Sequence, residues 1–204
     1  MEMSSSSKHP LGVSQDKADV KKQKLDELTK EIPPREERLK LFMDTFKNRA
    51  YLEQDEDENE VLSDGTHPMT FRDIASLELD LYETDGFDVQ DYSHVGDASV
   101  ILTCYDPEAN INRGAFYLPE MIECAEQAIN QYNGEKGKHF GDVHVIKVNV
   151  EAVCPYRYYL TFEAHDATED ITETFEAKVD IHIPITERTV DFVRIRQPPR
   201  FYCP

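Results

Sequence analysis

The clearest pattern of apolar and polar positions lies between residues 116 and 204. Apolar residues recur every three or four positions through its first part, at Leu118, Met121, Ile122, Ala125, Ile129 and Tyr132. This spacing predicts one long helix with a single apolar stripe. Pro119 suits the first turn of that helix, where a missing N–H is tolerated, and Asn133-Gly134 is expected to end it.

Four strand-like runs follow this helix, and two of them alternate clearly. Their sequences are DVHVIKVNVEAV, YRYYLTFEA, TETFEAKVDIHI and RTVDFVRI. The apolar set of the second and third runs comprises Tyr156, Tyr158, Leu160, Phe162, Ala164, Phe175, Ala177, Val179, Ile181 and Ile183. Alternation with polar residues predicts antiparallel strands with one buried and one solvated face. Residues 116–204 are therefore predicted to form an α+β domain, with one long helix packed on a four- to five-stranded antiparallel sheet.

The first 115 residues have weaker patterns. Residues 1–65 are predicted to be a polar extension, partly helical and partly disordered, with candidate helices at 15–32 and 35–50. Pro33-Pro34 separates these helices, because neither ring continues a helix, and an acidic linker covers 53–65. Residues 66–115 form a mixed lead-in segment with a short helix over 71–82 and a strand over 99–105. We expect that strand either at the edge of the sheet or as a lead-in that lies across it.

Charge and composition exclude several classes of function. The 204-residue chain has a net charge of −19, and all of the excess acid lies after residue 50, because residues 1–50 hold 11 Lys and Arg against 9 Asp and Glu. Such a surface repels phosphate backbones and anionic lipid, so we expect neither nucleic-acid nor membrane binding. The N-terminus lacks an apolar h-region, which argues against a signal peptide. Four cysteines without a CxxC pair favour a reduced protein of the cytoplasm or nucleus.

Short motifs in the strand region carry a family resemblance. YYLTFEA lies at Tyr158–Ala164, FEAKV at Phe175–Val179, and MIECAEQAIN at Met121–Asn130. The residues and the order of these motifs resemble those of the plant cystatins, which are inhibitors of papain-like cysteine proteases. That family has a helix of the LARFAV-x-x-x-N kind, the loop QxVxG, a strand YYLT-x-EA and a hairpin ending in Pro-Trp. The resemblance covers about 80 residues of this chain and implies a cystatin-like fold within the cystatin/monellin superfamily.

The resemblance also implies a set of protease contacts. Counting back from YYLT places Glu151, Ala152, Val153, Cys154 and Pro155 at the QxVxG loop, and Pro184 with Ile185 falls near the Pro-Trp position. Only the central valine of the loop is retained, and the chain has no Trp. Glycine allows a sharp turn close to an enzyme, whereas Pro155 fixes φ. Glu151 adds a charge that must be desolvated if it is buried on binding.

A catalytic or ligand-binding member of the broader helix-on-sheet class would need an open pocket with convergent polar groups, which the sequence does not show. Two other functions lead. The chain is either a degraded but competent inhibitor that reversibly occludes the protease cleft, or a non-inhibitory protein-interaction module on the same scaffold. Enzyme activity is not expected, because no nucleophile–base arrangement or phosphate loop appears. The histidines are His9, His67, His94, His139, His144, His165 and His182. None has a recognised ligand spacing, so neither a metal nor another cofactor is predicted.

Overall fold

A computed structural model describes residues 32–46, 61–96, 101–114, 117–153, 155–184 and 187–201. The chain divides into two compact units, Met1–Glu37 and Arg38–Pro204. The described helices are α1 (Arg35–Phe46), α2 (Phe71–Thr84) and α3 (Leu118–Lys136). The strands are β1 (Leu102–Asp106), β2 (Ile111–Asn112), β3 (Phe140–Glu151), β4 (Tyr156–Asp166), β5 (Ile171–Ile181) and β6 (Arg188–Ile195).

All six strands form one antiparallel sheet, in the order β2-β1-β3-β4-β5-β6. The α+β class is therefore confirmed. The prediction of one long helix on four or five strands is wrong, because the described residues hold three helices and six strands. The extra strand, β2, is only two residues long and pairs with β1 through a tight hairpin. β1 consequently lies one strand in from the edge.

The main core lies between α3 and one face of the sheet. Most of the predicted helical stripe is buried or packs against this core, and the apolar set of β4 and β5 is buried from Tyr158 to Ile181. Phe175 is fully buried at its centre, with its ring 5.0 Å from those of Tyr132 and Phe140 and 5.7 Å from that of Phe162. YYLTFEA and FEAKV lie on these two strands, which pair along their whole length.

The predicted end of α3 at Asn133-Gly134 is wrong. The helix continues to Lys136 and ends at Gly137, whose φ of 63° is left-handed and whose N–H donates to Asn133 O at 2.8 Å. Asn133 has another role, because its side chain donates to Phe140 O at 2.8 Å and accepts from Phe140 N at 3.0 Å. These two bonds connect α3 directly to the start of β3.

The second face of the sheet is partly covered as well, so the prediction of a solvated face is wrong over the covered area. Described residues between 69 and 96, together with Ile101 and Leu102, pack on it in a second apolar cluster, whose buried members are Leu77, Phe87, Val89, Tyr92, Val95, Ile101 and Tyr159. Tyr159 and Thr161 of β4 are thus only 4% and 3% exposed. Asn149 of β3 is fully buried there, where it accepts from Thr103 Oγ1 and donates to Gly86 O and Phe87 O.

The predicted short helix of the lead-in segment is confirmed as α2, which extends two residues beyond Tyr82. A capping box begins it, since Thr70 Oγ1 accepts from Asp73 N and Asp73 accepts from Thr70 N. α1 packs on it through Leu39, Phe42, Ala75 and Leu79. The remaining predictions for 15–31, 47–50 and 53–60 lie outside the described residues. Among the described helices, none combines the length and apolar character that crossing a bilayer requires.

Candidate functional site at the turn edge of the sheet

Three chain segments meet where the strands of the sheet end on one side. The strand register places Leu102, Val150, Tyr158, Val179 and Val190 in one row across five strands. Each of these residues lies close to the end of its strand. The start of β1, the β3–β4 turn and the β5–β6 turn therefore lie side by side, and we call this set the turn edge.

The β3–β4 turn carries most of the loop that the sequence assigned to protease contact. Val153 N donates to Glu151 O at 3.0 Å, which closes a tight bend. Ala152 is exposed, Val153 is 36% exposed, and Pro155 is half-buried at the start of β4. Cys154 lies outside the described residues. The tip of this turn thus presents a small apolar surface.

Glu151 does not belong to that tip. Its carboxylate accepts a hydrogen bond from Tyr159 Oη at 2.7 Å and lies 3.7 Å from Arg157 Nη1. Burial, and then the bond to Glu151, raises the pKa of Tyr159, which keeps the phenol protonated as a donor. Arg157 also pairs with Asp180 on β5 and lowers the pKa of that carboxyl group. The charge therefore lies on the sheet face behind the turn.

The β5–β6 turn presents a larger apolar group than the sequence indicated. His182 N donates to Glu187 O and Glu187 N donates to Pro184 O, both at 2.9 Å. The Ile183–Pro184 peptide is cis, and Ile183 is 81% exposed. Pro184 is exposed too, whereas Ile185 lies outside the described residues. Alternation had placed Ile183 on the buried face, but pairing with β6 ends at Ile181.

An apolar pocket of about 460 Å³ lies beside this edge on the side of α3. Its walls include Leu102, Met121, Val150, Tyr156 and Tyr158. Tyr156 Oη donates to Glu120 at 3.3 Å near the start of α3. The walls of the pocket therefore join the apolar residues near the strand ends to those at the start of α3.

Cys104 and Cys124 are buried core residues, and burial raises the pKa of their thiols to about 11 and about 12. Because the thiolate is the reactive form, we expect iodoacetamide to leave both cysteines unmodified in the folded protein near pH 8. Both should react once urea unfolds the chain, which peptide mass spectrometry measures. Rapid labelling of either in the native protein would contradict their placement.

In comparisons with known proteins, no family model and no curated protein matches this sequence. The resemblance to plant cystatins therefore depends on the sequence motifs alone.

Proposed function

We propose that this protein is a cystatin-like, weakened inhibitor of papain-like cysteine proteases, and that its turn edge reversibly occludes the active-site cleft. The observation that carries the proposal is the presence of two exposed apolar tips, Val153 and Ile183, on neighbouring hairpin turns. A wedge of this kind fills a cleft without offering a strained peptide bond for cleavage. The pairing of the YYLTFEA and FEAKV strands supports the same scaffold.

The changed loop residues set the expected strength of inhibition. The Glu151 carboxylate already has a partner in Tyr159, so the tip itself remains uncharged and its desolvation is less costly. Pro155 immediately precedes β4, in the position of the family glycine, and its ring restricts how closely the turn approaches an enzyme. No Trp is present, and Ile183 offers a smaller apolar anchor in that region. We therefore expect micromolar rather than nanomolar inhibition.

Steady-state inhibition of papain tests the proposal. The intact chain should inhibit competitively and reversibly, and it should remain uncut on a denaturing gel. Val153→Asp should weaken inhibition at least about tenfold, a change of about 1.4 kcal/mol, because it places a charge in an apolar contact. Ile183→Asp should have a comparable effect.

The matched control is Ala167→Asp, which adds the same charge to the exposed β4–β5 turn. This turn lies at the opposite end of the strands from the turn edge, so inhibition should be unchanged. Absence of inhibition by the folded wild-type chain at tens of micromolar removes the proposal. Equal losses in all three variants would exclude the turn edge as the contact surface.

A non-inhibitory interaction module on the same scaffold is the second candidate. It is favoured by the replacement of the family glycine with Pro155 and by the absence of Trp. The second sheet face also carries a covering layer, in which Tyr159 is buried in the second apolar cluster. A folded wild-type chain that leaves papain fully active would favour this candidate.

A further inference from the structure

Two histidines and one aspartate meet on the layer that covers the second sheet face. His94 Nε2 lies 3.8 Å from Asp73 Oδ1, and His67 Nδ1 lies 3.9 Å from Asp73 Oδ2. The imidazole ring centroids of the two histidines are 5.0 Å apart. One ligand atom from each of the three side chains lies within 4.8 Å of the other two. This His–His–Asp cluster lies on a different part of the chain from the turn edge.

The backbone holds the two histidines side by side. His67 N donates to His94 O at 3.0 Å, and Gly96 N donates to His67 O at 2.9 Å, which joins the two segments. This approach is so close that a Cβ on Gly96 would lie 2.4 Å from Thr66 Oγ1. Val95 is buried in the second apolar cluster, next to His94 in the chain. The backbone segments that carry the two imidazoles are therefore held side by side before any ligand binds.

The N-terminus of α2 orients the aspartate. Asp73 Oδ2 accepts from Thr70 N at 3.0 Å and from Thr70 Oγ1 at 2.6 Å. These bonds fix the carboxylate and leave Oδ1 directed toward His94. The side chain of Asp73 is 15% exposed, and that of His94 is 54% exposed. The cluster is thus preorganised on one side and open to solvent on the other.

Hydrogen bonding also sets the tautomer of His67. Its Nδ1 lies 2.6 Å from Pro68 O, so this nitrogen carries the proton and the lone pair is on Nε2. A bond from an imidazole N–H to a backbone carbonyl is the usual outer contact of a metal-binding histidine. A cation bound through Nε2 would keep this bond, and a cation bound through Nδ1 would displace its proton.

From this geometry we infer that His67, Asp73 and His94 form a binding site for a divalent transition-metal ion such as Zn²⁺. Imidazole ligands favour zinc, copper, nickel and iron over Mg²⁺ or Ca²⁺. Zinc–ligand bonds of about 2.0–2.2 Å place tetrahedral ligand atoms about 3.3 Å apart. The separations in this structure are somewhat longer, so the bound cation draws the side chains inward. Three protein ligands leave a fourth position for water.

Titration calorimetry with Zn²⁺ on the full chain tests this site, with exposed thiols first capped by iodoacetamide. We expect one saturable site of micromolar affinity, and a rise in the thermal midpoint when Zn²⁺ is present. His94→Ala should weaken binding at least tenfold and remove the rise in the midpoint. Asp73→Asn, which keeps an acceptor for the helix cap, should weaken binding to a similar extent.

His144→Ala is the matched control, because His144 is an exposed histidine of β3 outside the cluster. Its affinity for Zn²⁺ should equal that of the wild-type chain. Equal losses for His94→Ala and His144→Ala would overturn the site, and so would weak, unsaturable binding by the wild-type chain. Circular dichroism of each variant without metal shows that a loss of binding is not a loss of folding.

Discussion

Glu83→Ala is expected to lower the free energy of unfolding by about 3–5 kcal/mol, the usual effect of breaking a buried ion pair. Glu83 at the end of α2 accepts two bonds from Arg38 of α1, from Nε at 2.7 Å and from Nη2 at 2.8 Å. The two side chains are only 5% and 8% exposed. Removing the carboxylate leaves a guanidinium buried without this partner, and the guanidinium is always charged. Urea unfolding of the full chain measures the loss.

Glu78→Ala is the matched control, since Glu78 lies on the same helix but is exposed. A surface change of this kind should alter stability by no more than about 0.5 kcal/mol. The paired change Arg38→Met with Glu83→Leu should recover most of the loss, because an apolar pair of similar volume often replaces a buried ion pair without penalty. Equal stability of Glu83→Ala and Glu78→Ala would show that the pair does not hold α1 on α2.

The elements that the sequence predicted well are those whose pattern reports a single buried face. α2, α3, β4 and β5 each carry apolar residues at one spacing, and that spacing is independent of what packs against them. The second apolar cluster is different, because it contains residues that suit either a buried or a solvated position. Tyr159 has an apolar ring and a polar tip, and Asn149 becomes buried only because three partners satisfy its side chain. A periodicity of two does not reveal a second covering layer.

The two candidate sites were predictable to different degrees. The motifs located the β3–β4 turn and Pro184, but the exposure of Ile183 depends on where pairing between β5 and β6 ends. The His–His–Asp cluster had no local signature at all. His67, Asp73 and His94 come from a loop, a helix start and a turn, and a backbone bridge between 67 and 95 brings them together. Ligand-spacing rules detect histidines on one helix or loop, so this cluster required the tertiary structure.

Gly86→Ala is expected to destabilise the protein by about 2–5 kcal/mol, combining about 1–2 for a left-handed non-glycine residue with about 1–3 for overpacking. Gly86 has a φ of +89°, and a Cβ there would lie 2.7 Å from Tyr159 Cε1. The ring of Tyr159 has little room to move, because Phe87 packs on it edge-on at 5.7 Å and its hydroxyl donates to Glu151. Urea unfolding measures the change.

Gly65→Ala separates the two contributions, because Gly65 has a similar φ of +85° with nothing within 4 Å of its added Cβ. In this variant only the strained backbone should lower the free energy of unfolding, by about 1–2 kcal/mol. The additional loss of stability in Gly86→Ala then measures the cost of displacing Tyr159. That displacement also withdraws the donor that holds Glu151 behind the β3–β4 turn. Gly86→Ala should therefore weaken papain inhibition in the folded protein, whereas Gly65→Ala should leave it unchanged. Equal stability losses in the two variants would mean that the covering layer shifts to accommodate the new methyl group, and that its contacts do not hold the Tyr159 ring in place.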